Sequence, residues 1–337
     1  MQQKAELTTR EKIILREISI DSRVSLTKLA KSTNCSIVTV KKFLDKLIEK
    51  LDIKFTLEID MERLGFSDRH ILTIKFKRLP DMNLIKALFI NDPYAQDVYL
   101  TEGDFDLLIF AATDTPINYT LWETKLASDL SNYLVDIRPS EFVFPQLGYV
   151  PLNESFVNFI RGELKVDNED KEILKLLNKN ARIGYRELGK TLGLNEDTIR
   201  YRIFRLLKKG IIRRFTIAAQ NYGDGYILAY VLRYKFYKNT TSNAFSQMRH
   251  HYMTENEELP TFNSFQMIAP LSGSYRSFGI VFNENKKKAF DDGVKWHKTL
   301  LKQEEIVAKH AFIKKVLKGS LPLRNLDAKE NYRFIWK

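Results

Sequence analysis

A single cysteine, Cys35, stands in 337 residues, which excludes an intrachain disulfide and a zinc site built from several thiolates and gives that residue the reading of a buried structural thiol. Long apolar runs are missing too. None reaches the roughly 18 residues a membrane span needs, and the opening MQQKAELTTREK has no apolar core of a signal peptide. A cytoplasmic chain with no membrane partner is expected. Neither Gly, at 14, nor Pro, at 9, is enriched, so collagen-like and low-complexity chains are excluded. There is no G-x-G-x-x-G, no GxxxxGK[ST], no H-E-x-x-H and no G-x-S-x-G. Histidine is scarce: His70, His250, His251, His297 and His310. Only the pair in RHHY stands out, and neighbours on a helix point in different directions, with no acidic or Cys partner at metal spacing. No catalytic residue, metal or cofactor is expected.

What is present is charge, placed unevenly. The net formal charge is +12, yet residues 1 to 160 hold 20 Lys and Arg against 23 Asp and Glu, whereas residues 161 to 337 hold 34 against 19. A basic excess confined to the second half points to an acidic partner, nucleic acid before an anionic surface. The excess is densest in LNEDTIRYRIFRLLKKGIIRRFTI, residues 194 to 217, with seven Arg and Lys beside only Glu196 and Asp197.

The chain also repeats itself. The offset that takes Ile14 to Ile173, 159 residues, takes Leu29 to Leu188, Val40 to Ile199 and Leu47 to Leu206 without a gap. A duplicated unit of about half the chain is expected. Each copy opens with three helical segments. LTTREKIILREIS starts with Thr8 and Glu11 at capping-box spacing, and NEDKEILKLLNKNA repeats its apolar face. A short helix follows, then a tight turn, NCS or GLN, and then Ser36 or Asn195 as N-cap of a third helix.

In the second copy Ile199, Ile203, Leu206 and Leu207 recur at helical spacing and face the core, which leaves Thr198, Tyr201, Arg202, Arg205, Lys208 and Lys209 outside until Gly210 caps the helix. IIRRFTIAA then alternates as a short strand and presents Arg213 and Arg214 beside the helix. This order is that of a winged helix-turn-helix, whose last helix enters the major groove of double-stranded DNA. Asn195, Thr198 and Tyr201 are placed to touch base edges, and Arg200, Arg202 and Arg205 either grip phosphate or read guanine. In the first copy Val40, Leu44 and Leu47 face inward and Ser36, Thr39, Lys41, Lys42 and Lys46 lie on the DNA side, but Asp45, Glu49 and Asp52 dilute the charge.

After each trihelical unit the pattern changes to β-α-β-β-α-β, with AQDVYLTEG as a strand and MNLIKALFI as a helix in the first copy and helices across NAFSQMRHHYM and KKAFDDGVKWHKTLLKQ in the second, which makes a ferredoxin-like sandwich. The expected fold is α+β: a winged helix-turn-helix over 1–60, a ferredoxin-like sensing domain over 61–160, a second winged helix-turn-helix over 165–218 and a second sensing domain over 219–337.

With EDKEILKLLNKNARIGYRELGKTLGLNEDTIRYRIFRLLKKGIIRRFTI, ERLGF and GDFDLLIFAATD in view, the chain resembles the Lrp/AsnC, or feast/famine, transcription regulators, of archaeal type. The usual member has one copy of each domain, so this chain departs by being a tandem. The resemblance implies sensing domains paired strand to strand and sheet on sheet, hence a pseudo-dimer within one chain or a homodimer of chains. It implies an amino acid or other small effector near Gly103, Asp104 and Asp106, a stretch that reads equally as a plain hairpin turn. It also implies a partner among the general transcription factors, for which the weakly basic first head is suited. A related family of this architecture decarboxylates siroheme, and an enzyme of that kind is the rival reading; RNA stacking on Tyr230, Tyr234, Phe236 and Tyr237 is another.

Overall fold

The structure, a computed structural model, describes residues 7–142, 166–219, 225–234, 265–283, 285–291 and 306–319. The helix expected across NAFSQMRHHYM, most of the one across KKAFDDGVKWHKTLLKQ, and His250, His251, His297, Phe236 and Tyr237 lie outside these residues.

The capping box forms as its spacing requires. Glu11 Oε2 accepts from the Thr8 backbone N–H at 2.8 Å, the Thr8 hydroxyl accepts from Glu11 N–H at 3.3 Å, and helix α1 (Thr9–Ile20) starts there. Helices α2 (Leu26–Thr33) and α3 (Ile37–Leu51) follow, then strand β1 (Ile53–Ile59). Ile14, Ile18, Leu29, Val40 and Leu47 close a core with no exposure. Cys35 is half-buried at the α2–α3 turn, rather than buried, with Sγ 3.4 Å from the Thr33 carbonyl. The turn itself needs left-handed backbone: Asn34 has φ +50°, and Gly193, 159 residues on, has φ +68°. Glycine reaches that region without strain and asparagine tolerates it, which explains the choice at both places.

The same order recurs as α6 (Asn168–Lys179), α7 (Tyr185–Leu192), α8 (Glu196–Lys208) and β6 (Ile212–Ala219). Ile173, Leu177, Leu188, Ile199, Ile203 and Leu206 are buried together, while Leu207, expected inside, is only partly covered.

β1 and β6 are not separate wings. They pair antiparallel as one two-stranded ribbon, Thr56 opposite Thr216, Leu57 opposite Phe215 and Glu58 opposite Arg214. Each strand also packs under the other unit's helices: Leu57 and Ile59 of β1 sit in the core with Ile173 and Ile203, and Ile217 and Ala219 of β6 sit with Ile14 and Leu29. The exchange is reciprocal. Ser22 N–H donates to the Phe215 carbonyl at 3.0 Å and Ala181 N–H to the Phe55 carbonyl at 2.9 Å. Arg23 Nε donates to the Ala181 carbonyl at 2.7 Å and lies 4.1 Å over the Phe215 ring, while Arg182 Nε donates to the Ser22 carbonyl at 2.6 Å and lies 3.9 Å over Phe55. Planar guanidinium groups suit such paired hydrogen bonding and stacking.

The first half continues as β2 (Asp68–Phe76), α4 (Met82–Ile90), β3 (Ala95–Gly103), β4 (Leu107–Thr113), α5 (Pro116–Asp129) and β5 (Leu134–Phe142), the expected β-α-β-β-α-β. The second half contributes β7 (Tyr226–Tyr234), β8 (Phe265–Gly273), β9 (Ser277–Asn283) and β10 (Ile306–Lys318). Sensing domains paired strand to strand and sheet on sheet were expected; the eight strands close into one barrel, β10-β3-β4-β2-β5-β8-β9-β7. The cause is the edges. Each four-stranded sheet would leave two edge strands with unpaired N–H and C=O groups, and these meet across the halves, β3 with β10 over six residue pairs and β5 with β8 over three. Phe110, Phe278, Phe142 and Tyr99 fill the interior, with Phe110 at 5.4 Å from Phe278 and 5.8 Å from Tyr99, centroid to centroid. α4 and α5 cover the outside through Phe89, Trp122 and Leu126.

Candidate nucleic-acid interface

Helix α8 is held from both ends. Asn195 Oδ1 accepts from Thr198 N–H at 2.7 Å, and Glu196 and Asp197 place negative charge in the first turn, where the helix dipole favours it. At the far end Arg63, from the segment after β1, donates Nη1 to the Lys209 carbonyl at 2.9 Å. With Ile199, Ile203 and Leu206 inward, the helix turns a stripe of Asp197, Arg200, Tyr201, Phe204 and Lys208 to solvent. Thr198 and Lys209 lie half-buried at its margins. Arg200 is anchored by Glu196 at 3.1 Å and leans over the Tyr185 ring at 5.7 Å, leaving most of its side chain exposed. Phe204, 64% exposed, is the residue that sequence reasoning passed over. Helical spacing carried the signal, since it lies three residues from Tyr201 and four from Arg200 and Lys208. Arg186 and Lys190 of α7 are exposed as well.

Two expected reading arginines are turned elsewhere. Arg202 Nη1 donates to Asp167 Oδ2 at 2.7 Å and Asp170 Oδ1 at 3.0 Å, and its Nη2 to Glu169. Arg205 Nη2 bonds Asp170 and lies 3.7 Å from Asp167. Asp170 has no exposure, so these arginines neutralise a buried carboxylate at the start of α6 and brace α8 against it. Burial alone would push the Asp167 carboxyl up, but the bonds from Arg202 and the Asp170 backbone N–H, with the charges of Arg202 and Arg205, together outweigh it and hold the pKa below the ordinary value. The first unit repeats the device: Lys46 Nζ is 3.0 Å from Glu11, itself buried, and Glu11 is likewise held low, burial being outweighed by its bonds to Thr8 and Lys46.

The basic wing is corrected too. Arg213 reaches Asp60 at 2.9 Å and Arg214 bonds Glu58, so both arginines are neutralised across the β1–β6 ribbon instead of projecting beside α8. In the first unit Ser36 caps α3 by accepting from Thr39 N–H at 3.1 Å, and Lys41 and Lys42 are exposed next to Val38, Asp45 and Glu49.

The turn expected to meet an effector sits at the barrel seam. Gly103 has φ +151°, and a Cβ there would lie 2.5 Å from the His310 carbonyl, so only glycine lets β3 approach β10. Asp104 Oδ2 accepts from His310 N–H at 2.8 Å, and Asp106 accepts from Lys75 Nζ at 2.9 Å and Phe76 N–H at 2.8 Å. Asp104 thus ties the turn to β10 across the seam, while Asp106 is occupied by β2 of its own half. His70 Nε2 is 2.8 Å from Asp68, whose other oxygen accepts from the Thr113 hydroxyl at 2.9 Å, and its ring stacks on Tyr119 at 3.5 Å; burial pushes that phenol's pKa up. Among the described residues no group of three metal-ligating side chains occurs, and no helix is long and apolar enough to cross a membrane.

The unit built from α6, α7, α8 and β6 has known counterparts. Residues 167–213 match the winged helix-turn-helix DNA-binding family. Over a short stretch the chain is similar to the HTH-type transcriptional regulator LysM of Saccharolobus solfataricus, 46% identical over 56 residues, or 17% of this chain and 39% of that protein. It is also similar to the HTH-type transcriptional regulator Ptr1 of Methanocaldococcus jannaschii, 50% identical over 50 residues, or 15% of this chain and 34% of that protein. The chain thus spans well under half the length of these curated relatives. In fold the chain is similar to the siroheme decarboxylase NirDL, with TM-score 0.56 and 14% identity over 98% of this chain and 100% of that one.

Proposed function

We propose that this protein is a sequence-specific double-stranded DNA-binding regulator of transcription, of Lrp/AsnC type, built as a tandem whose two halves act as a pseudo-dimer within one cytoplasmic chain. The observation that carries the reading is the outward stripe of α8, cationic at Arg200 and Lys208, on the unit that matches the winged helix-turn-helix family. Docking begins with phosphate neutralisation by Arg200, Lys208, Lys209, Arg186 and Lys190; Asn195, Thr198, Tyr201 and Arg200 then face base edges. Arg202 and Arg205 act from behind, fixing the pose of α8. The first unit, with Lys41 and Lys42 beside Asp45 and Glu49, binds DNA more weakly, or turns to a general transcription factor.

A titration of labelled duplex over a series of salt concentrations tests this. Log affinity should fall linearly with log salt, and Arg200→Ala with Lys208→Ala should reduce the slope by about one for each phosphate that is no longer neutralised. A slope unchanged in the double variant would count against the assignment of α8.

The fold shared with the siroheme decarboxylase favours a second reading, an iron-tetrapyrrole enzyme. His70, tied to Asp68 above Tyr119, is its candidate residue among those described. A Soret shift on adding iron uroporphyrin, abolished in His70→Ala, would support it; a flat difference spectrum would remove it.

A further inference from the structure

The centre of the α8 stripe is not polar. Tyr201 and Phe204 are 65% and 64% exposed, and among the described residues neither makes a ring contact or side-chain hydrogen bond. Arg200 lies on one side of this apolar pair and Lys208 lies a turn beyond it. An exposed phenylalanine in the middle of an otherwise well-capped helix calls for a partner that is apolar at its centre and anionic at its flanks.

A second copy of the chain fits poorly. Two-fold contact through this stripe would set the cations Arg200 and Lys208 of one copy near those of the other. Duplex DNA fits. In the major groove the one apolar group is the C5-methyl of thymine, it lies between two rows of phosphates, and phenylalanine is among the side chains that contact it.

Resting on the DNA-binding reading above, we infer that Phe204, with Tyr201 beside it, reads a thymine methyl group, so that the preferred half-site of the second unit carries thymine at the position beneath Phe204. The first unit does not share the feature. The residue 159 positions before Phe204 is Asp45, exposed, which offers no apolar surface and repels phosphate. The half-sites of the two units therefore differ, and methyl reading at this position belongs to α8 alone. Val38, 67% exposed at the start of α3, offers apolar contact at a different place in its groove.

The experiment uses the full-length protein and the duplex it selects, with each thymine replaced in turn by deoxyuridine, which keeps the hydrogen-bonding edge and removes only the methyl. One replacement should weaken wild-type binding by about three- to fivefold, the value of one buried methyl. Phe204→Ala should bind both duplexes alike, and Phe204→Leu, which keeps apolar contact, should still distinguish them. Because Phe204 is exposed, both variants should unfold at the wild-type temperature, which thermal melts check. Equal wild-type affinity for every uracil-substituted duplex overturns the inference while leaving DNA binding intact, and so does methyl sensitivity that survives in Phe204→Ala. Absence of any enriched duplex, with a protein instead held by the Tyr201–Phe204 face, overturns the underlying reading together with it.

Discussion

Arg202 and Arg200 lie two residues apart on α8 and have opposite duties. Arg202 is mostly covered and bonded to Asp167, Glu169 and Asp170; Arg200 is mostly exposed. Truncating Arg202 removes hydrogen bonds to a carboxylate that has no exposure, so Arg202→Ala should cost about 1–3 kcal/mol of stability. Arg200→Ala should stay within about 0.5 kcal/mol of wild type, as surface changes do, while losing DNA affinity. Thermal unfolding beside duplex binding checks both, and an Arg202→Ala protein as stable as wild type would contradict the bracing role. This cluster and its counterpart around Glu11 in the first unit set an acid limit. Asp167 and Glu11 have folded pKa values below their ordinary ones, so their contribution is present above the ordinary carboxylate range and is lost as pH falls through the folded values. The urea midpoint should hold from neutral pH down to that range and drop below it, more shallowly in Arg202→Gln. A midpoint that rises on acidification would contradict it.

Among the elements, the ribbon of β1 and β6 matters most, because each strand completes the other unit's core. Leu57 lies on β1, after the first three helices, yet has no exposure among Ile173, Ile203 and Leu206. Leu57→Ala should cost about 2–5 kcal/mol, and hydrogen exchange should quicken in α6 to α8 more than in α1 to α3. Faster exchange confined to α1–α3 would mean that the strands serve their own units. The exchange of strands was not legible in the sequence, though much around it was. The span of α4, the span of β3, the capping box at Thr8 and the caps at Ser36 and Asn195 could all be read, because each depends on residues within a turn or two. Periodicity placed Ile199, Ile203 and Leu206 inside correctly. It could not say what Arg202 or Arg214 would meet, since their partners stand 32 to 35 residues away on α6, or 156 residues away on β1. Charge patterning alone therefore assigned four bonded arginines to DNA along with the exposed Arg200.

In the assembled chain, each of the eight barrel strands has a neighbour on both sides among the described residues. The two halves already pair with each other strand to strand, so light scattering should give the mass of one chain, 39.5 kDa. A stable dimer or larger ring at low micromolar concentration would contradict the self-contained pair. Strand pairing between the halves was expected from the family resemblance alone; which strands pair could not be read from the residues, because β5 and β8 meet only when both halves have formed, whereas GDFD as a tight turn could.

The function proposed for this chain stands or falls with duplex reading by α8 of the second unit. Selection from a pool of random duplexes by the purified full-length protein, run beside the Arg200→Ala, Tyr201→Ala, Lys208→Ala triple variant, puts that reading to the test. An enriched motif should emerge with wild type and disappear in the triple variant while the variant's unfolding temperature is kept. A wild-type pool with no enrichment, or an identical motif from the variant, would refute it.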